Sequence, residues 1–167
     1  MSNVRNAFFK DCVADAFFDL MKNKPVNKIT VTEIANRAGV GRMTYFRNFK
    51  NKMEIVLYKL EQIHTKYYST LSTQPKTKLE NAFALLNCIY SNKEIYLLIH
   101  KQCPFMLLVF FLLKTVNDTD TITENKYMGF WFGYGFSGLI YKWCDEKFKD
   151  SPEEILTIVQ KWINIEN

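Results

Sequence analysis

Residues 28–55 read KITVTEIANRAGVGRMTYFRNFKNKMEI, and this pattern predicts two short helices joined by a tight turn. Thr30 and Glu33 have the spacing of a capping box, in which each side chain bonds the backbone N–H of the other residue, so a helix is predicted over residues 31–38. Gly39 tolerates the positive φ angle that ends such a helix, and a third helix is predicted to follow through Phe49. Two short helices around a turn that contains glycine are typical of a helix-turn-helix.

Helices are also predicted on both sides of this stretch. Apolar residues recur at helical spacing over residues 4–22, which predicts a first helix, and Asn51 is placed to cap a longer fourth helix over residues 51–71. We therefore expect a helix-turn-helix domain over residues 1–50. A C-terminal regulatory and dimerisation domain is expected over residues 51–167, with the fourth helix as its connection to the first domain.

The second half of the chain continues as helices separated by short turns, and no alternating strand pattern interrupts them. The last helix has the clearest start, because Ser151, Pro152 and Glu154 fit the N-cap, N1 and N3 positions. The sequence thus predicts an all-α fold of about nine helices, of which the last five span residues 78–91, 93–101, 104–116, 123–146 and 152–165.

Charge is divided unevenly between the two halves. The chain has 22 Lys+Arg and 17 Asp+Glu, and residues 1–70 hold 12 of the basic and only 6 of the acidic residues. A basic half indicates a polyanionic partner, either nucleic acid or an anionic membrane surface. The apolar runs over residues 105–113 and 127–141 are shorter than the roughly 18–20 residues of a spanning helix. We therefore expect no membrane segment, and a cytoplasmic protein without a signal peptide.

The sequence offers little that an enzyme would need. It has two histidines, and its four cysteines form no C-x-x-C pair, so we expect no catalytic residues, no metal and no cofactor. Gly133, Gly135 and Gly138 spell the dinucleotide motif G-x-G-x-x-G, but they lie inside a predicted helix and not between a strand and a helix. We expect His64 to face solvent or to pack at an edge, and His100 to end a helix.

Residues 28–55 resemble the DNA-binding segment of TetR-family regulators, and the resemblance covers about residues 9–60. It includes Ile34-Ala35 in the second helix, Ala38-Gly39-Val40 at the turn, the run Thr44 to Phe46, and Phe49 followed by Lys52. The resemblance implies a DNA-binding transcriptional regulator that is a homodimer on an inverted-repeat operator. It further implies a repressor controlled by a small-molecule effector.

By this resemblance the third helix reads DNA. Its inner face is predicted to hold Val40, Tyr45 and Phe49, and Gly41 leaves its start without a side-chain cap. Arg42 is expected to read guanine, and Met43 and Phe46 to touch thymine methyl groups. The full set of predicted DNA-binding residues is Thr30, Val31, Thr32, Arg42, Met43, Thr44, Phe46, Arg47, Asn48 and Lys52, of which Thr30, Val31, Thr44, Asn48 and Lys52 are expected at phosphates and Thr32 near a base.

Two further sites are predicted in the second half. Small residues spaced four apart in the long helix 123–146 would let two helices approach closely, which predicts a dimer interface of Gly129, Gly133, Ser137, Ile140, Trp143, Ile155, Val159 and Trp162. An excess of large apolar residues predicts a pocket for a small apolar or weakly polar effector, lined by Phe83, Leu86, Tyr90, Phe105, Leu108, Phe111 and Tyr134. The same residues would equally fill a core.

Three other interpretations remain open at this stage. Residues 28–60 alone would also fit a small helical bundle whose cations form a solvated face. The whole chain would also fit a co-regulator of the same fold that acts through a protein partner and does not read DNA. A helical protein that binds or converts a small molecule without DNA is the third. Enrichment of DNA by the protein would separate this third interpretation from both regulators.

Overall fold

The computed structural model describes residues 2–117 and 126–164, and within them the side chains except those of residues 2–4, 78, 115–117, 126–129, 132 and 162–164. These ranges contain nine α-helices, one 3-10 turn (Val26–Lys28) and no strand. The predicted all-α fold is therefore confirmed. The helices are α1 (Ser2–Asn23), α2 (Val31–Ala38), α3 (Arg42–Asn48), α4 (Lys52–Thr70), α5 (Lys78–Ser91), α6 (Lys93–Gln102), α7 (Phe105–Asn117), α8 (Lys126–Asp145) and α9 (Pro152–Asn164).

The turn between α2 and α3 has the geometry that its sequence predicts. The backbone N–H of Glu33 donates to Thr30 Oγ1 at 3.2 Å, and the N–H of Thr30 donates to the Glu33 carboxylate at 2.8 Å, which completes the capping box. Gly39 has φ of 66°, and the N–H of Val40 bonds the carbonyl of Ala35 at 3.0 Å, so the chain reverses where α2 ends. Helix α3 begins after Gly41 without a side-chain cap, as predicted.

Helices α1, α2 and α3 pack on one another around a small apolar core. Phe17 of α1, Ile34 of α2 and Tyr45 of α3 are all fully buried there. Helix α4 leaves this unit from an Asn51 cap, whose Oδ1 accepts from the backbone N–H groups of Met53 and Glu54. The N-terminal unit is therefore held by helix caps and by apolar side chains that meet at its centre.

The second half of the chain packs around α7 and α8, which lie along each other. Helix α6 covers both of them, and α5 lies between α4 and α9. Ile99, Leu107 and Ile140 are completely buried where α6, α7 and α8 meet. The buried side chains continue without interruption from α1 to α9, so both halves share one hydrophobic core.

Polar side chains tie α1 to the second half at two places. Gln102, the last residue of α6, donates from Nε2 to the carbonyl of Met21 at 2.9 Å and accepts at Oε1 from the N–H of Val26 at 3.2 Å. On α4, Lys59 pairs with Asp15 of α1 at 2.8 Å. Because these bonds connect α1 to both α4 and α6, the orientation of the N-terminal unit depends on the helices of the second half.

The environment of His64 differs from the prediction. Its side chain is buried, its Nε2 lies 2.8 Å from the hydroxyl of Tyr96, and its ring packs edge-on against Phe110. The prediction of a solvent or edge position was wrong because α5 and α7 both pack on α4 and cover this side chain. Burial, followed by the positive charge of Lys114, lowers the pKa of His64 to about 4.

Candidate nucleic-acid interface

Helix α3 has two faces of opposite character. Tyr45 and Phe49 are only 1% and 3% exposed, and their rings pack on the N-terminal unit and on Tyr58 of α4. On the other face Met43 is 68% exposed and Phe46 is 51% exposed. The predicted division of this helix into an inner and an outer face is therefore confirmed for these four residues.

The outer face of α3 also carries positive charge. Arg42 and Arg47 are exposed, and so is Lys50, two residues beyond the end of the helix. Within the described part of the chain, none of these three cations has an ion-pair or hydrogen-bond partner for its side chain. The surface around α3 thus combines unpaired cations with exposed apolar side chains.

The acids of the N-terminal unit are engaged elsewhere. Asp19 pairs with both Lys22 and Arg37, and Asp15 pairs with Lys59, so these carboxylates lie on the α1 side of the unit. Glu33 pairs with Lys24 and caps α2, and these bonds lower the pKa of Glu33 to about 2. Since Asp15, Asp19 and Glu33 are matched with cations away from α3, they do not neutralise the arginines on its outer face.

The predicted contact residues fall into two groups by exposure. Thr30, Thr32, Arg42, Met43, Phe46 and Arg47 are exposed, whereas Val31, Thr44, Asn48 and Lys52 are half-buried. The hydroxyl of Thr30 already bonds Glu33. The ammonium of Lys52 donates to the carbonyls of Val26 and Ile29 at 2.6 and 3.0 Å, so it stabilises the turn before α2. These two bonds leave one of its three N–H groups for another acceptor.

The inner side of α3 contains two polar atoms without partners. The hydroxyl of Tyr45 and Oδ1 of Asn48 are buried, and neither has a hydrogen-bond partner among the described residues. Burial raises the pKa of Tyr45, so its hydroxyl stays protonated. A hydroxyl at position 45 therefore points into the unit, where it is unavailable to a ligand at the outer face.

Four of the five predicted dimer residues of α8 lie on its inner face, which differs from the prediction. Gly133, Ser137, Ile140 and Trp143 are buried inside the protomer by α6 and α7, and Ser137 Oγ donates to the Gly133 carbonyl at 2.6 Å. On α9, Ile155 is likewise buried and Val159 is half-buried. The surroundings of Gly129 and the side chain of Trp162 lie outside the described residues. The exposed side of α8 carries Phe130, Trp131, Tyr134, Gly135, Gly138 and Tyr141.

The seven predicted pocket residues differ widely in exposure. Leu86 and Phe111 are buried in the core, and the ring of Tyr90 stacks on Trp143 at 5.8 Å. Phe83 and Leu108 are half-buried. Phe105 and Tyr134 are more than half exposed. Helical spacing alone could not separate these positions, because α7 and α8 are apolar on nearly all sides.

Sequence reasoning missed Gln102, which joins α6 to the N-terminal unit. Its partners Met21 and Val26 are 81 and 76 residues away along the chain, and they bond through backbone atoms. Backbone partners leave no pattern of residue types, so no signal in the sequence points to this contact.

Neither a metal site nor a single membrane-spanning helix is found among the described residues. No group of three His, Cys, Asp or Glu side chains within residues 2–117 and 126–164 could hold a metal ion. No single helix in these ranges has the length and apolar character to cross a membrane; α6 and α7 together would, but they are bent by 118°. Comparison of the chain with known protein families and with characterised proteins finds no match.

Proposed function

We propose that the chain is a DNA-binding transcriptional regulator of the TetR type, which inserts the outer face of α3 into the major groove. The observation that carries this proposal is the outer face itself, on which Arg42 and Arg47 have no partner among the described residues and Met43 and Phe46 are exposed. Guanidinium groups suit guanine edges and phosphates, and apolar side chains suit thymine methyl groups. A face built only for solvation would not need two large exposed apolar side chains.

The regulator acts as a homodimer in this proposal. Phe130, Tyr134 and Tyr141 recur on one exposed side of α8 at spacings of four and seven residues, and Ile158 is exposed on α9. Exposed apolar surface of this kind is typical of an interface. A second copy on this surface would present two α3 helices, one for each half-site of an inverted repeat, where half-sites lie about 34–36 Å apart.

In this proposal the protein lies in the cytoplasm and represses transcription, and a small effector releases it from DNA. Support comes from the bonds that join α1 to α4 and α6, because a shift of either helix would move the N-terminal unit. A small change in the separation of two α3 helices would remove the match to the operator.

The proposal is tested by selecting bound sequences from random duplex DNA with the purified protein. We expect an inverted repeat, and an affinity whose logarithm falls by about 0.9 per neutralised phosphate for each unit of log salt. The double variant Arg42→Glu/Arg47→Glu should bind no DNA. Lys66→Glu/Lys149→Glu makes the same change in net charge at exposed positions outside α3 and should retain binding. Equal behaviour of the two variants would contradict the role of α3.

A second candidate function uses the same face for a protein partner. Met43 and Phe46 are exposed to a degree that also suits an apolar cleft in another protein, and the two arginines would pair with acids around it. This candidate is a co-regulator of the same fold that does not read DNA. Failure of the DNA selection, together with loss of a protein complex in Met43→Ala/Phe46→Ala, would favour it.

A further inference from the structure

A groove of about 660 Å³ lies between α1 and α6, and Lys59 of α4 closes one side of it. Its floor is apolar and contains Phe18 of α1 and Ile95 and Leu98 of α6. Sites for small molecules usually have volumes of about 300–1,000 Å³ and apolar linings with a few polar groups. The groove therefore has the size and the floor of a ligand site.

The two ends of the groove differ in charge. Gln102 bonds the carbonyl of Met21, which brings the C-terminal ends of α1 and α6 together. Lys22 and Lys101 therefore lie at this joined end, whereas Asp15 and Glu94 lie at the other end. An apolar floor between a basic and an acidic end would suit an elongated ligand with opposite charges at its ends.

Two of these charges are unmatched. Asp15 is neutralised by Lys59, and Lys22 pairs with Asp19. Glu94 and Lys101 are exposed, and neither has an ion pair or a side-chain hydrogen bond in the part of the chain that the structure describes. They are seven residues apart on α6, which places them on one face about 10 Å apart along the helix axis.

We propose that this groove binds a short apolar peptide with free termini. The ammonium group of the peptide lies at Glu94, its carboxylate lies at Lys101, and its apolar side chains cover Phe18, Ile95 and Leu98. An extended tripeptide spans roughly 10 Å, which matches the separation of the two unpaired charges.

The peptide also affects DNA affinity, in a step that rests on the proposed function. One wall of the groove belongs to the N-terminal unit and the other to the second half, so an occupant contacts both. A ligand that binds one arrangement of α1 and α6 better than another shifts the protein toward it. By thermodynamic linkage, DNA and the peptide then change each other's affinity by the same factor.

Calorimetric titration of the DNA-free protein with trileucine tests the site directly. We expect one saturable site, and weaker binding of trileucine that is acetylated at its N-terminus or amidated at its C-terminus. Each exposed ion pair contributes a factor of about two to five in affinity. Glu94→Gln should therefore lower the affinity for trileucine by that factor and leave the affinity for the acetylated peptide unchanged. Lys101→Gln should do the same for trileucine and spare the amidated peptide.

Two controls complete the test. Glu153→Gln and Lys149→Gln remove exposed charges on other surfaces and should leave the affinity for trileucine unchanged. No saturable binding, or equal losses for free and blocked peptides in Glu94→Gln, would overturn the proposal. Because the titration contains no DNA, failure of DNA binding would leave its result untouched, and a second titration with the selected operator measures the linkage separately.

Discussion

Helices α3 and α8 both carry aromatic residues on two faces, yet only the faces of α3 could be assigned from the sequence. In α3 the arginines mark the outer side, and Tyr45 and Phe49 follow the spacing of the packed side. Helix α8 is apolar around most of its circumference, and α6 and α7 decide which side is covered. A face can be read from sequence where polar and apolar residues segregate, and not where both sides are apolar.

The largest expected effect is the difference between substitutions on the two faces of α8, of which one should lower protomer stability and the other should weaken the dimer. Ile140→Glu would place a charge in the core, where Ile140 is 0% exposed, and should destabilise the protomer by at least about 3 kcal/mol. Tyr134→Glu changes a residue that is 55% exposed and should leave the protomer folded while weakening the dimer. Chemical denaturation and sedimentation velocity measure the two effects. A stable Ile140→Glu, or a Tyr134→Glu that dimerises like the native protein, would reverse our assignment of these faces.

Acid should destabilise the second half through His64. Its folded pKa of about 4 lies below its ordinary value of 6.5, so the unfolded chain takes up the proton first as the pH falls. The stability from neutral, buried His64 is present above pH 6.5 and is lost toward pH 4, at up to about 1.4 kcal/mol per pH unit. In His64→Gln the free energy of unfolding, measured by denaturation, should depend less on pH than in the native protein. The carboxylates titrate in both proteins, so the difference between the two reports His64. Parallel curves from pH 7 to 4.5 would contradict this assignment.

Two buried tyrosines, one in each half, should respond differently to loss of the hydroxyl. Tyr96→Phe removes the hydrogen-bond partner of His64 and should cost about 1–3 kcal/mol, because a buried polar atom is left unpaired. Tyr45→Phe removes a buried hydroxyl that has no partner among the described residues, and should leave stability unchanged or raise it slightly. The free energies of unfolding of the two variants give the comparison. A large cost for Tyr45→Phe would show that its hydroxyl is bonded after all.

The smallest effects concern two glycines in the turn between α2 and α3. Gly39→Ala meets no atom within 4 Å but forces a side chain to adopt φ of 66°, which should cost about 1 kcal/mol. Gly41→Ser supplies the missing cap of α3 and should stabilise by a few tenths of a kcal/mol. Thermal unfolding of both variants measures these shifts. Equal shifts in stability for the two variants would contradict the different backbone requirements that we assign to Gly39 and Gly41.

Local signals in the sequence predicted much of the fold. The capping residues Thr30, Asn51 and Ser151 begin α2, α4 and α9 as predicted, because a cap is formed by residues only two or three positions apart. Each predicted helix over the described ranges ends within about two residues of its observed end. Residues 118–125, where the long eighth helix was predicted to begin, lie outside the described residues.

The rest depends on contacts between distant segments. The burial of His64 follows from the packing of α5 and α7 on α4, and the clamp at Gln102 follows from backbone atoms about 80 residues away. The groove between α1 and α6 likewise exists only once the two helices have met. Such features leave no local pattern, whereas the outer face of α3 follows from seven consecutive residues.

Binding of Arg42→Ala to the selected operator and to a scrambled duplex tests the central claim most directly. Arg42 is expected to read a base, so its loss should weaken operator binding by about 1–3 kcal/mol more than binding to scrambled DNA. Lys50→Ala removes an exposed cation next to α3 and should weaken the binding of both duplexes alike. The slope of log affinity against log salt should fall by about 0.9, the value for one phosphate. Fluorescence anisotropy at several salt concentrations measures all four affinities. Equal losses for Arg42→Ala on the two duplexes would contradict a role of α3 in reading DNA sequence.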